Sequence, residues 1–89
     1  MANLPAIVRA TRASAKALES MSRLARLAHD STHGITLNRR AMAAGRMSRV
    51  ESEALNATLR IVRDKARKDW RKAYKRHLAA QAVLEANPI

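Results

Sequence analysis

The sequence predicts an all-α fold, a helical hairpin or a three-helix arrangement, on three observations. Only two glycines and two prolines interrupt 89 residues. Apolar residues recur at helical spacing on both sides of the glycines. A helix-start signature, Ser48-Arg49-Val50-Glu51, stands just after the second glycine. The chain is short enough for one small helical domain, residues 1–89.

The first helix is expected over about 4–33. Asn3 can cap it, and Leu4 and Pro5 fall in the first turn, where proline's fixed φ and missing N–H are tolerated. Gly34 is the natural left-handed stop. At 100° per residue, Leu4, Ile7, Val8, Thr11, Ala15, Leu18, Met21 and Ala25 share one arc. Arg9, Arg12, Lys16, Glu19, Arg23 and Arg26 share the adjacent one, giving an amphipathic helix with a basic outer face.

Ile35 and Thr36 lead into a short middle helix over about 37–44, ended by Gly45. Ser48 then forms a capping box with Glu51. The Ser hydroxyl accepts from the Glu51 N–H, and the Glu51 carboxylate reaches back to the Ser48 N–H. A break here is favoured over one helix continuing from residue 37. No further breaker occurs before Asn87-Pro88, so a long basic C-terminal helix over about 48–87 follows, roughly 60 Å long at about 1.5 Å per residue.

In this last helix Leu55, Leu59, Val62, Ala66, Trp70, Ala73, His77, Ala80 and Leu84 form a narrow apolar stripe with near-heptad spacing. It is expected to pack antiparallel on helix 1. Because helix 1 is the shorter in this reading, the C-terminal end should overhang it. The overhang, Leu78-Ala79-Ala80-Gln81-Ala82-Val83-Leu84, is apolar on nearly every side, so Leu78, Val83 and Leu84 are candidates for self-association or partner docking.

Composition narrows the function. Eighteen Lys and Arg against seven Asp and Glu give a net charge of +11, which calls for anionic company. Alanines account for 19 of the apolar residues, and with one Trp, one Tyr and no Phe the core is thin. A partner is therefore expected, through a homodimer or a larger assembly. There is no cysteine, so disulfides and zinc-thiolate sites are excluded. No apolar run is long enough for a membrane span, and no signal-peptide core is present. Glu19 and Asp30 argue against an organellar presequence. Thirteen Arg to five Lys, with abundant Ala, fits a GC-rich bacterial or phage genome, so a cytoplasmic location in a bacterial or phage-infected cell is expected.

The charge concentrates in one place. Residues 60–76 hold nine cations, Arg60, Arg63, Lys65, Arg67, Lys68, Arg71, Lys72, Lys75 and Arg76, against Asp64 and Asp69. Ordinary surface helices alternate signs and gain i,i+4 pairs, whereas like charges crowded within a turn cost stability until an anion relieves them. This is the field a nucleic-acid backbone needs. Arg39, Arg40, Arg46 and Arg49 lie near the bend, and of these Arg39 and Arg40 are taken as additional backbone contacts. Trp70 is expected in the core and Tyr74 at its edge, where Tyr74 is a candidate to stack on an unpaired base. The aromatics and GXXG loop of common RNA modules are missing, and a helix-turn-helix is poorly supported, so binding should be led by the backbone and sensitive to salt.

Other chemistry finds little support. His29 and His33 are one turn apart but have no third ligand, and dipole capping before Gly34 accounts for them better than a metal does. His77 is expected as a packed or hydrogen-bonded residue of the seam. No glycine-rich phosphate loop, activated nucleophile or cofactor motif is present, so no enzyme activity, cofactor or metal is expected. Membrane binding is disfavoured because the stripe is mostly Ala and Leu at packing spacing. The expected function is a non-catalytic protein contacting DNA or RNA backbone. The alternative is a phage-type adaptor or inhibitor binding an acidic protein surface, or a structural component of a virion or ribonucleoprotein particle.

Overall fold

The computed structural model describes residues 2–88 as two long helices, α1 (Leu4–Ala43, 40 residues) and α2 (Arg49–Ala86, 38 residues), packed antiparallel. They form a rod of 67 × 15 × 13 Å.

The three-helix division does not form, and the reason lies at Gly34. That glycine does not adopt a positive φ and sits inside α1. A Cβ there would lie 3.0 Å from Leu59 Cδ1, so the residue serves close approach of α2 rather than termination. Residues 37–44, expected as a middle helix, are the last turns of α1 and its cap. The real stop is Gly45, with φ of 75°. Its N–H donates to Met42 O, and Arg46 N–H donates to Ala41 O, which is the Schellman pattern. Nothing would meet a Cβ at Gly45, so backbone conformation alone requires glycine there.

The helix starts are those expected. Asn3 Oδ1 accepts from Ala6 N–H at 3.1 Å, with Pro5 in the first turn. Ser48 Oγ accepts from Glu51 N–H at 3.1 Å, the first half of the capping box.

Burial follows two strict rows. On α1 the row is Ile7, Ala10, Ser14, Ala17, Met21, Leu24, Ala28, Ser31, Ile35 and Asn38. On α2 it is Ser52, Asn56, Leu59, Arg63, Ala66, Trp70, Ala73, His77, Ala80 and Leu84. Steps alternate between three and four residues, the 3.5-residue repeat of a two-stranded coiled coil. The α2 row agrees with the predicted stripe from Ala66 to Leu84, but towards the turn Leu55 is exposed, Val62 lies beside the seam, and Ser52, Asn56 and Arg63, the last expected on the outer basic face, take seam positions. The α1 row differs. Of the predicted arc only Ile7 and Met21 reach the seam, and Leu4, Val8, Thr11, Ala15, Leu18 and Ala25 form an exposed row one position round.

Most of the buried seam positions are Ala and Ser; Leu24 and Ile35 are the large apolar residues buried in it. Small side chains let the helices approach closely but bury little, since each CH₂ contributes only about 0.8 kcal/mol. Polar pairs cross near both ends of the rod. Ser14 Oγ and His77 Nδ1 share a hydrogen bond of 2.9 Å, and Asn38 Nδ2 donates to Asn56 Oδ1 at 3.0 Å.

No C-terminal overhang exists, because α1 continues through Gly34 and matches α2 in length. Asn3 N–H donates to Asn87 Oδ1 at 3.1 Å, tying the start of α1 to the end of α2. Among the described residues no helix is long and apolar enough to cross a membrane.

Candidate nucleic-acid interface

The nine cations of residues 60–76 ring α2. Arg63 is the exception to full exposure: it occupies a seam position, half-buried, and its Nε donates to Asp64 Oδ1 at 3.0 Å. Lys65 Nζ donates to Asp69 Oδ2 at 3.1 Å. That hydrogen bond holds the Asp69 carboxyl below the usual carboxylate range, with further help from the charges of Lys65, Lys72 and Lys68 against a partial opposing desolvation. The remaining seven, Arg60, Arg67, Lys68, Arg71, Lys72, Lys75 and Arg76, are exposed and have no acid within 4.0 Å among the described residues.

The antiparallel packing then adds cations from α1. Along one side of the rod a groove runs between the helices. It begins beside Ala6, Arg9, Ala79 and Val83, continues past Ala13, Lys16 and Ala17, and ends at Ser20, Arg23, Asp69 and Lys72. Arg76 borders all three stretches. The floor is therefore Ala and Ser. Arg9, Lys16 and Arg23 stand seven residues apart on one rim, facing Lys72 and Arg76 on the other. Asp69 is the single acid in this groove among the residues that border it. The sequence placed these three α1 cations on an outer face. Their seven-residue spacing is the signal, but only the position of the α1 seam shows which side they face.

On the opposite side of the rod, Arg67 and Arg71 meet Leu24, Ala25 and Ala28 beside Trp70. Nearer the turn, Arg39 and Arg49 share a depression with Arg60 and Glu53. Arg39 thus joins an α2 cation across the hairpin, while Arg40, in the last turn of α1, borders neither this depression nor the groove. Arg49 Nε donates to Glu53 Oε1 at 2.9 Å, which raises the guanidinium above its ordinary value. Trp70 is half-buried in the seam, and Tyr74 stacks on it with ring centroids 5.3 Å apart and planes 12° from parallel. One face of Tyr74 is thereby covered by Trp70.

The three proposed docking residues go to three places. Leu78 is exposed on the Tyr74 side, Val83 borders the basic groove, and Leu84 is half-buried in the seam. His29 and His33 lie in mid-helix, so they cap nothing, because α1 does not end at Gly34. Among the described residues no group of three His, Cys, Asp or Glu side chains is placed to hold a metal.

Comparison with protein-family models, with curated proteins and with solved structures finds no match to this chain.

Proposed function

We propose that this chain is a non-catalytic binding protein that holds a nucleic-acid backbone against the cations of α2, with α1 contributing Arg9, Lys16 and Arg23 from the opposite rim of the groove. The observation that carries this reading is the set of seven exposed α2 cations with no acid within 4.0 Å. Surface ion pairs normally offset such crowding, and here two of nine cations have one. Phosphates would release counterions on binding and relieve the repulsion at the same time. An Ala and Ser floor offers no aromatic stacking platform, so recognition in the groove rests on charge and shape rather than on base identity.

The test is fluorescence anisotropy with generic duplex and single-stranded DNA and RNA over a range of salt. Binding at low salt whose log affinity falls linearly with log salt is expected, and Lys72→Ala/Arg76→Ala, the two α2 cations on the groove rim, should flatten that slope. If no nucleic acid is retained at low salt, the reading fails. Capture of one acidic protein from a nuclease-treated lysate would then favour the adaptor reading, in which the same cations meet carboxylates.

A further inference from the structure

The basic groove occupies one side of the rod. On the other side, the half of the rod nearer the start of α1 and the end of α2 carries a different kind of surface. The row on α1 from Leu4 to Thr36, exposed except for a half-buried Thr36, advances by steps of four and three residues and holds ten side chains with no Lys, Arg, Asp or Glu before the next step reaches Arg39. The chain is 28% charged, which would put about three charged residues in any ten. This row repeats with the 3.5-residue period of the seam but lies one position round from it, so α1 presents two adjacent packing faces and α2 covers one. Its large members are Leu4, Val8 and Leu18, with 64%, 46% and 47% of their surfaces exposed.

α2 extends this face. Ala25 belongs to the row and lies beside Arg67 and Arg71, so in the antiparallel hairpin the next positions along α2, Tyr74 and Leu78, come level with the Leu18 end of the row. Both are exposed, Tyr74 by 40% and Leu78 by 47%. The result is a patch of five large apolar side chains over the half of the rod that contains the termini. Arg67 and Arg71 mark its boundary toward the turn.

We infer that this patch is the interface of a homodimer, in which two hairpins pack tail to tail and form a four-helix bundle over their terminal halves. Two observations select a second copy. The first is charge. Two molecules of +11 repel wherever cations face each other, and this flank of α1 carries no cation until Arg39, near the turn. Arg67 and Arg71 forbid sliding into full-length overlap, so the pairing stays at the termini. The second is area. The chain exposes 6678 Å², whereas a compact monomer of its mass exposes about 5,200 Å² by the usual scaling. The excess, about 1,500 Å², is spread along the whole rod, and covering half of the rod's length would offset about half of it, close to the ~800 Å² per partner that a standard interface buries. In the symmetric antiparallel arrangement Thr11 lies at the two-fold axis. Leu4 of one copy then comes level with the Leu18 position of the other, and Val8 with the Ala15 position.

The chain has no cysteine, so a single introduced thiol reports the contact cleanly. Light scattering of the unaltered protein should give about twice 9.9 kDa. Val8→Glu/Leu18→Glu should halve that mass while circular dichroism keeps its helical signal, since both side chains lie outside the seam. Under oxidising conditions Thr11→Cys should cross-link two chains, and Ala13→Cys, on the groove side, should not. A single-chain mass for the unaltered protein overturns the inference. So does an unchanged mass for the double Glu variant, or equal cross-linking of the two Cys variants. Because none of these readouts involves nucleic acid, the inference can fail while the proposed function survives, and the reverse.

Discussion

Ser14 of α1 and His77 of α2 face each other across the seam and share a 2.9 Å hydrogen bond between Oγ and Nδ1. Ser14 is buried and His77 half-buried, so neither polar group is fully served by water. Ser14→Ala should therefore cost about 1–2 kcal/mol, since it leaves the ring nitrogen without its partner. Ser14→Ala/His77→Leu should cost less than the two single changes together. Urea unfolding of the four proteins gives the coupling energy directly, and strict additivity would show that the bond contributes nothing.

Gly34 supports a second prediction, because its role is contact rather than turning. Gly34→Leu should destabilise the hairpin by about 1–3 kcal/mol by forcing Leu59 out of its place. If Leu59 is first shortened to Ala, the space opens, and Gly34→Ala in that background should gain about 1 kcal/mol from helix propensity. Thermal unfolding of the pair checks both signs. A Gly34 that ended a helix would give the opposite pattern, since any side chain would be strained there whatever Leu59 was.

These two positions also show what the sequence could and could not reveal. On α2 the seam was largely legible, because cations crowd both sides of Leu59, Ala66, Trp70, Ala73, His77 and Ala80, and Arg63 alone among them enters the stripe. On α1 it was not. The buried row contains Ala10, Ser14, Ala17 and Ser31, which are no more apolar than the exposed row through Leu4, Val8 and Leu18, so hydrophobicity pointed one position away. Gly45 and Gly34 look alike in sequence, and only the approach of Leu59 separates a stop from a contact. The α2 cations could be found from local crowding, whereas the rim of Arg9, Lys16 and Arg23 depends on the α1 seam position that the sequence misplaced.

Asp69 gives a pH prediction. Its carboxyl is held below the usual carboxylate range by Lys65, so the brace between them is fully present above the unfolded-state carboxylate value and is lost as pH falls through the lower folded value. Between neutral pH and the ordinary carboxylate range this residue should contribute no change in stability. Asp69 also borders the basic groove beside Arg23, Lys72 and Arg76, where its charge opposes a phosphate. Asp69→Asn should therefore tighten nucleic-acid binding several-fold at neutral pH, as expected for one like charge removed near an exposed site. Unchanged affinity in the Asn variant would place the ligand away from the groove.

The decisive prediction separates the groove from bulk charge, since any loss of Arg from a +11 protein weakens polyanion binding somewhat. Arg9→Ala/Arg23→Ala removes two guanidiniums from the groove rim. Arg12→Ala/Arg26→Ala removes two from exposed positions of the same helix that do not border the groove. Net charge, helix and residue type are matched, so only position differs. If phosphates run along the groove, the first variant should lower the slope of log affinity against log salt by roughly 1.4–1.8, at about 0.7–0.9 per lost contact, and the second should leave it nearly unchanged. Anisotropy titrations at several salt concentrations measure both slopes. Equal small losses in the two variants would mean that the ligand senses the overall field of the rod and that α1 supplies no specific rim; a loss confined to Arg12→Ala/Arg26→Ala would move the contact to the far side of α1.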